Sequence, residues 1–142
     1  MSRVIPIFRA LVAQDTDNRF HQNHGELGFA LKDQDPPAWD DAEAELTEAI
    51  RIRDAAGDQD ISYFRFYDFN RALCRIARDP TRRGTSAVTA EPLREEILND
   101  LRAAATSPEL LAIIKRESVV IDWLKRNQIP VSRLTAQAPT RG

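Results

Sequence analysis

The chain has 142 residues and a mass of 16.1 kDa, which fits one domain burying about two-thirds of the surface its unfolded form exposes. Hydrophobic residues at 42%, charged residues at 30% and a net charge of −2 exclude a disordered chain and count against a fold that wraps nucleic acid. One cysteine excludes an internal disulfide and an all-cysteine zinc site, and five glycines without a Walker-type or dinucleotide-type motif exclude a glycine-rich phosphate loop.

Taken in chain order, the dominant signal is apolar residues recurring three and four apart, which predicts helices nearly throughout. The first helix carries Val4, Ile7, Phe8 and Leu11 on one face, capped by Ser2, with Pro6 in its opening turn. Its apolar run is broken at Arg9, too early for a signal peptide, and no stretch approaches the ~20 apolar residues of a membrane span, so a cytoplasmic protein is expected. The turn residues 15–18 lead into a second helix over 18–33, striped by Phe20, His24, Leu27 and Leu31. Gly28 lies in that stripe at a cost of about 1 kcal/mol against alanine, which makes sense where another helix approaches closely.

Pro36 and Pro37 open a third helix over 37–56, with Trp39, Ala42, Leu46, Ala49 and Arg53 in line and acids opposite, ended by Gly57. A fourth, over 61–79, holds Tyr63, Phe64, Phe66, Tyr67 and Phe69; aromatics on more than one face predict a helix sandwiched between neighbours. Residues 81–89 lack periodicity and read as a mobile loop. A fifth helix is expected over 90–105 through Leu93, Ile97, Leu101 and Ala104. Ser107, Pro108 and Glu109 start the next, which runs to about Asn127 with a break near Arg116 and with Trp123 covering an edge of the core. Residues 1–129 then make a single domain, and 130–142 a polar, flexible tail.

The segment with Leu27, Gly28 and Leu31 on one helix and Ala42, Leu46 and Ala49 on the next resembles the tetratricopeptide repeat, an antiparallel helix pair. The run Asn70-Arg71-Ala72-Leu73-Cys74 is similar to the opening helix of a second such repeat, with Ala72 in the place of Gly28. The two small residues stand 44 apart against a usual period of 34, so the first repeat carries about ten extra residues. The proline usual after the second helix is missing, with Asp54 and Ala55 near its place, and the pattern fades after Asp79. The resemblance covers about 18–79. It implies an all-α fold: antiparallel hairpins in a right-handed stack of about six or seven helices, approaching closely at Gly28 and Ala72. Members that clamp a peptide's terminal carboxylate use an asparagine where Asn70 stands, but the accompanying positions here are Gly25 and Phe29, so that clamp is not implied.

Chemistry-bearing residues are few. His21 and His24 lie one turn apart near Glu26, yet zinc needs three or four ligands, and a polar helix surface with one half-buried histidine is the plainer reading. Cys74, beside Arg71, Arg75 and Arg78, reads as a packing cysteine before it reads as a nucleophile. The acids Asp40, Asp41, Glu43, Glu45 and Glu48 make a solvated helix face. Arg71, Arg75, Arg78 and Arg82 form a basic stripe, joined by Arg83, with two readings. The stripe either binds an anion, or it pairs with Asp68, Asp79 and the acidic third helix. The function expected is a non-enzymatic adaptor or regulatory module. It would hold a segment of another protein, an acidic one or part of a larger effector, through Tyr67, Asn70, Arg71, Arg75 and Arg78. The alternative is a small regulator that uses the same arginines on nucleic-acid phosphates. No cofactor, metal or catalytic set is expected.

Overall fold

The apolar periodicity folds, in a computed structural model that describes residues 4–15, 20–57, 65–83 and 88–135, into seven α-helices with no strand among the described residues. They are α1 (Val4–Gln14), α2 (His21–Asp33), α3 (Trp39–Ala56), α4 (Phe66–Arg78), α5 (Leu93–Ala105), α6 (Pro108–Ile114) and α7 (Ser118–Arg126). From α1 to α6 each helix packs mainly on its sequence neighbours, and α7 folds back onto α4, giving an all-α stack of antiparallel pairs. Short 3₁₀ turns, Pro80–Arg83 and Val131–Leu134, follow α4 and α7. The expected cap at Ser2 and the aromatics Tyr63 and Phe64 lie outside the described residues.

The punctuation works through ordinary capping. Gly57 closes α3 in the left-handed conformation at φ 65°, donating its N–H to the Asp54 carbonyl. Ser107 caps α6, its hydroxyl accepting from Leu110 N–H at 3.4 Å ahead of Pro108. The break expected near Arg116 falls at 115–117, between α6 and α7.

Two apolar clusters share α4. Leu27, Leu31, Ala42, Leu46 and Ala49 of α2 and α3 pack with Tyr67 and Cys74, while Phe69, Ala72 and Ile76 pack with α5, α6 and α7. The sandwiched helix is therefore α4, as its aromatics on two faces foretold. Ala42, Leu46 and Ala49 nest on Gly28, where a Cβ would stand 2.7 Å from Leu46 Cγ and 3.3 Å from the Ala42 carbonyl oxygen.

Five expectations are corrected. Gly28 closes its own hairpin rather than the contact between hairpins; that contact falls at Gly25, where a Cβ would collide with the Tyr67 ring. On α1 the inward residues are Ile5, Phe8 and Val12, and the stripe of Val4, Ile7 and Leu11 faces out; the helix is apolar on both sides, so periodicity alone could not choose. The supposed mobile loop is pinned at both described ends: Thr81 bonds to Asp79, and Thr89 is buried. Finally, the supposed tail from residue 130 is docked at its start, with Leu134 buried in the second cluster and Val131 packed against it, while 136–142 lie outside the described residues. Trp123 also sits in the core rather than at its edge, its indole N–H donating to the Thr89 hydroxyl at 2.9 Å.

Candidate functional site

The site begins with two helices that cannot keep their distance. Because Gly25 has no side chain, the ring of Tyr67 on α4 lies directly against α2. There the Tyr67 hydroxyl is 3.1 Å from His21 Nδ1, and the two rings meet edge to face at 5.7 Å. Phe29 tilts against the other side of Tyr67 at 5.8 Å. Two turns of α2 and the first turn of α4 then leave a hollow of about 200 Å³ lined by Gln22, Glu26, Phe29, Phe66 and Tyr67. Its walls are aromatic, and Glu26 is the one formally charged residue of the five. Sequence reasoning named Tyr67 as a binding residue and counted Phe66 among the aromatics of which one or two would line a groove, but it did not place Gln22, Glu26 or Phe29 there. The usable signal was a second glycine, Gly25, one turn before Gly28.

The arginine stripe occupies a different face of α4. Arg71 reaches Asp100 of α5 with two donors, at 3.0 and 2.7 Å. Arg75 bridges Asp100 at 2.8 Å and Glu43 of α3 at 2.6 Å, and Arg78 donates twice to Glu43, at 2.6 and 3.0 Å. This is the second of the two readings, pairing with the acidic third helix, extended by one acid from α5. The acids named on α4 itself have other partners: Asp68 holds the buried Arg53 at 2.6 Å, and Asp79 holds Arg126 at 3.2 Å. Asn70 spends its amide on the Phe66 carbonyl at 2.8 Å. The five residues expected to form one binding surface are thus divided, with Tyr67 in the hollow and the arginines in a brace between α3, α4 and α5. Asp100 went unnoticed, although an acid set among Ile97, Leu98 and Leu101 on an apolar face is a legible sign of a buried partner.

The electrostatics follow from this geometry. Burial pushes the Glu43 carboxyl up, but the hydrogen bonds from Arg78 and Arg75 outweigh it and hold the group below the usual carboxylate range. Burial raises Asp100 against the pull of Arg71 and Arg75, because so little water reaches it. At the corner after α4, burial of Asp79 is likewise outweighed by donors from Thr89 and Thr81 and by the Arg126 charge, which leaves its pKa lowered. The Thr89 hydroxyl donates to Asp79 at 2.6 Å and accepts from Trp123 and Asn127 amide Nδ2, tying the incoming loop to α7. Hollows of about 250 and 380 Å³ flank Arg82 at this corner, lined by side chains of both charges. Each has one aromatic wall, Trp123 or Trp39, where the α2–α4 hollow has three.

The remaining candidates have structural surroundings. His21 and His24 are both buried, not one half-buried on a polar surface; His24 Nδ1 lies 2.7 Å from Glu45 Oε2. Glu26 lines the hollow, while His24 turns to α3, so the three do not converge. Among the described residues no cluster of three or more His, Cys, Asp or Glu side chains is placed to hold a metal ion. Cys74 is fully buried, and burial pushes its thiol up to about 12, which keeps it protonated at neutral pH and a poor nucleophile. No described helix is long and apolar enough to cross a membrane. No protein-family model, curated protein or solved structure matches this chain.

Proposed function

We propose that the protein is a non-enzymatic interaction module, built on tetratricopeptide-like hairpins, whose α2–α4 groove takes a short segment of another cytoplasmic protein. The observation that supports this is the aromatic hollow beside the Gly25–Tyr67 contact, which offers Phe29 and Phe66 as walls for one or two apolar side chains. Aromatic walls of this kind carry most of the energy in segment recognition. Glu26 at the rim favours a segment with basic residues beside its apolar anchors. An acidic segment, expected from the stripe alone, would meet Arg71, Arg75 and Arg78 already paired to Asp100 and Glu43. A nucleic-acid backbone would have to break the same pairs, so the interaction reading is the one the geometry favours.

The test is selection of short random peptides displayed against the full chain. Enriched peptides should share apolar anchors flanked by Lys or Arg, and both Phe29→Ala and Glu26→Lys should weaken them about tenfold, equivalent to ~1.4 kcal/mol. Peptides that keep their affinity in both variants but lose it in Arg78→Ala would overturn the assignment of the groove, and a selection that yields no shared sequence would overturn the module itself.

A further inference from the structure

We propose, on the reading that the α2–α4 groove takes a segment of another protein, that the side chain seated in its hollow is an arginine. The hollow, about 200 Å³, is smaller than the ~300–1,000 Å³ of a small-molecule site, and its size suits a single side chain. Phe29, Phe66 and Tyr67 give it aromatic walls, and the remaining lining residues, Gln22 and Glu26, are polar and exposed. On α2 the positions Gln22, Glu26 and Phe29 stand four and three apart, so an amide, a carboxylate and a ring share one edge of the hollow.

Glu26 carries the open charge. Glu43, Asp68, Asp79 and Asp100 are each held by an arginine of this chain, whereas Glu26 has no hydrogen bond or ion pair among the described residues. Its two oxygens can therefore accept a pair of donors from outside. Arg65, next to the aromatic walls in sequence, stands 3.8 Å from the buried Asp68. The undescribed segment 58–64, which leads into α4, contains neither lysine nor arginine and cannot supply the cation.

The chemistry of the walls selects arginine over the other side chains that could enter. A lysine ammonium is a compact, strongly hydrated charge, and aromatic walls return little for the water it loses. A guanidinium is planar and weakly hydrated, lies against aromatic rings within about 6 Å of their centroids, and presents paired N–H donors to a carboxylate. Phe29 and Tyr67, with centroids 5.8 Å apart, can both fall within that reach of one guanidinium, while the methylenes of the same side chain cover Phe66. A purely apolar side chain would fill the space but leave the Glu26 carboxylate without a donor at the rim of a dry contact. Phe29 and Phe66 are both half-buried, so their outer parts remain for the apolar anchors on either side of the arginine.

Amide chemical shifts of the full chain, followed as the tripeptide acetyl-Leu-Arg-Leu-amide is added, should move at Gln22, Glu26, Phe29 and Tyr67. The tripeptides with lysine or with citrulline, the neutral isostere of arginine, in the middle should bind about fivefold and about tenfold more weakly. Glu26→Gln should abolish the preference for arginine over citrulline, and Phe29→Leu the preference for arginine over lysine, each with an unchanged far-UV spectrum. Equal affinities for the three tripeptides, an arginine preference that survives Glu26→Gln, shifts centred elsewhere, or no binding at all would overturn the proposal. Display-selected peptides that move the same amides but carry no arginine would overturn the arginine assignment alone and leave the groove standing; failure of both would remove the groove as well.

Discussion

Between α2 and α3 the backbones approach where Gly28 has no side chain, and between α2 and α4 the Tyr67 ring lies against the α2 backbone where Gly25 has none. Between α4 and its neighbours α3 and α5 the outer edge is held differently: Asp100 lies between Arg71 and Arg75, and Glu43 between Arg75 and Arg78. The first region is closed by shape, the second by charge over an apolar base of Phe69, Ala72, Ile97 and Leu101. The difference teaches that one helix, α4, serves both modes at once: its Tyr67 side closes on α2 by shape, and its arginine side is committed to the scaffold by charge. A seam of shape is broken by adding a methyl group, and a seam of charge by deleting one carboxylate.

The largest expected effect is on the charged side. Asp100→Ala leaves two guanidinium groups facing a buried site without their shared counter-ion, which should cost about 3–5 kcal/mol in urea unfolding. A loss below about 1 kcal/mol would show that water reaches Arg71 and Arg75 freely. On the shape side, Gly25→Ala sets a methyl group against the Tyr67 ring; overpacking of about 1–3 kcal/mol, less about 1 recovered in helix propensity, leaves a net loss of up to about 2 kcal/mol. Repeating it in a Tyr67→Leu background should turn the same substitution neutral or stabilising, and equal losses in both backgrounds would dissolve the contact between hairpins.

Acidification sharpens the charged side further. The Glu43 pKa is lowered in the folded chain, so its contribution is present above the ordinary value of 4.5 and is lost as pH falls through the folded value. Asp100 acts in the opposite sense, since its raised pKa makes the folded chain the better proton acceptor. Urea midpoints followed from neutral pH downward should therefore fall less steeply in Glu43→Gln than in the parent and more steeply in Asp100→Asn, each compared with its own midpoint at neutral pH. Parallel curves for all three would remove both groups from the acid response. The smallest effect belongs to Arg78→Ala, at most about 1 kcal/mol, because the Arg78 side chain is 36% exposed and Arg75 still holds Glu43.

Much of the architecture was legible in the sequence because it rests on local rules. Gly57, Pro80 and Ser107 stop or start helices by backbone geometry, and Ala42, Leu46 and Ala49 announce a docking seam by their sizes. What escaped depends on tertiary neighbours. Nothing in the periodicity of α1 distinguishes its inner from its outer apolar side, and Thr89 reads as loop until Asp79, Trp123 and Asn127 are brought to its hydroxyl. The stripe of arginines was visible, but whether it faces a partner or its own scaffold was decided by Asp100, 25 residues beyond Arg75. The hollow was hidden for the same reason, since Gly25 and Phe29 meet Phe66 and Tyr67 only when two hairpins stack.

The most direct test of the binding account is an amide chemical-shift titration of the full chain with a peptide selected against it. The account predicts that the perturbed amides cluster around Gln22, Glu26, Phe29, Phe66 and Tyr67 and leave α5 unmoved. Perturbations centred on Arg71, Arg75, Arg78 and Asp100 would contradict it and return the partner to the charged face.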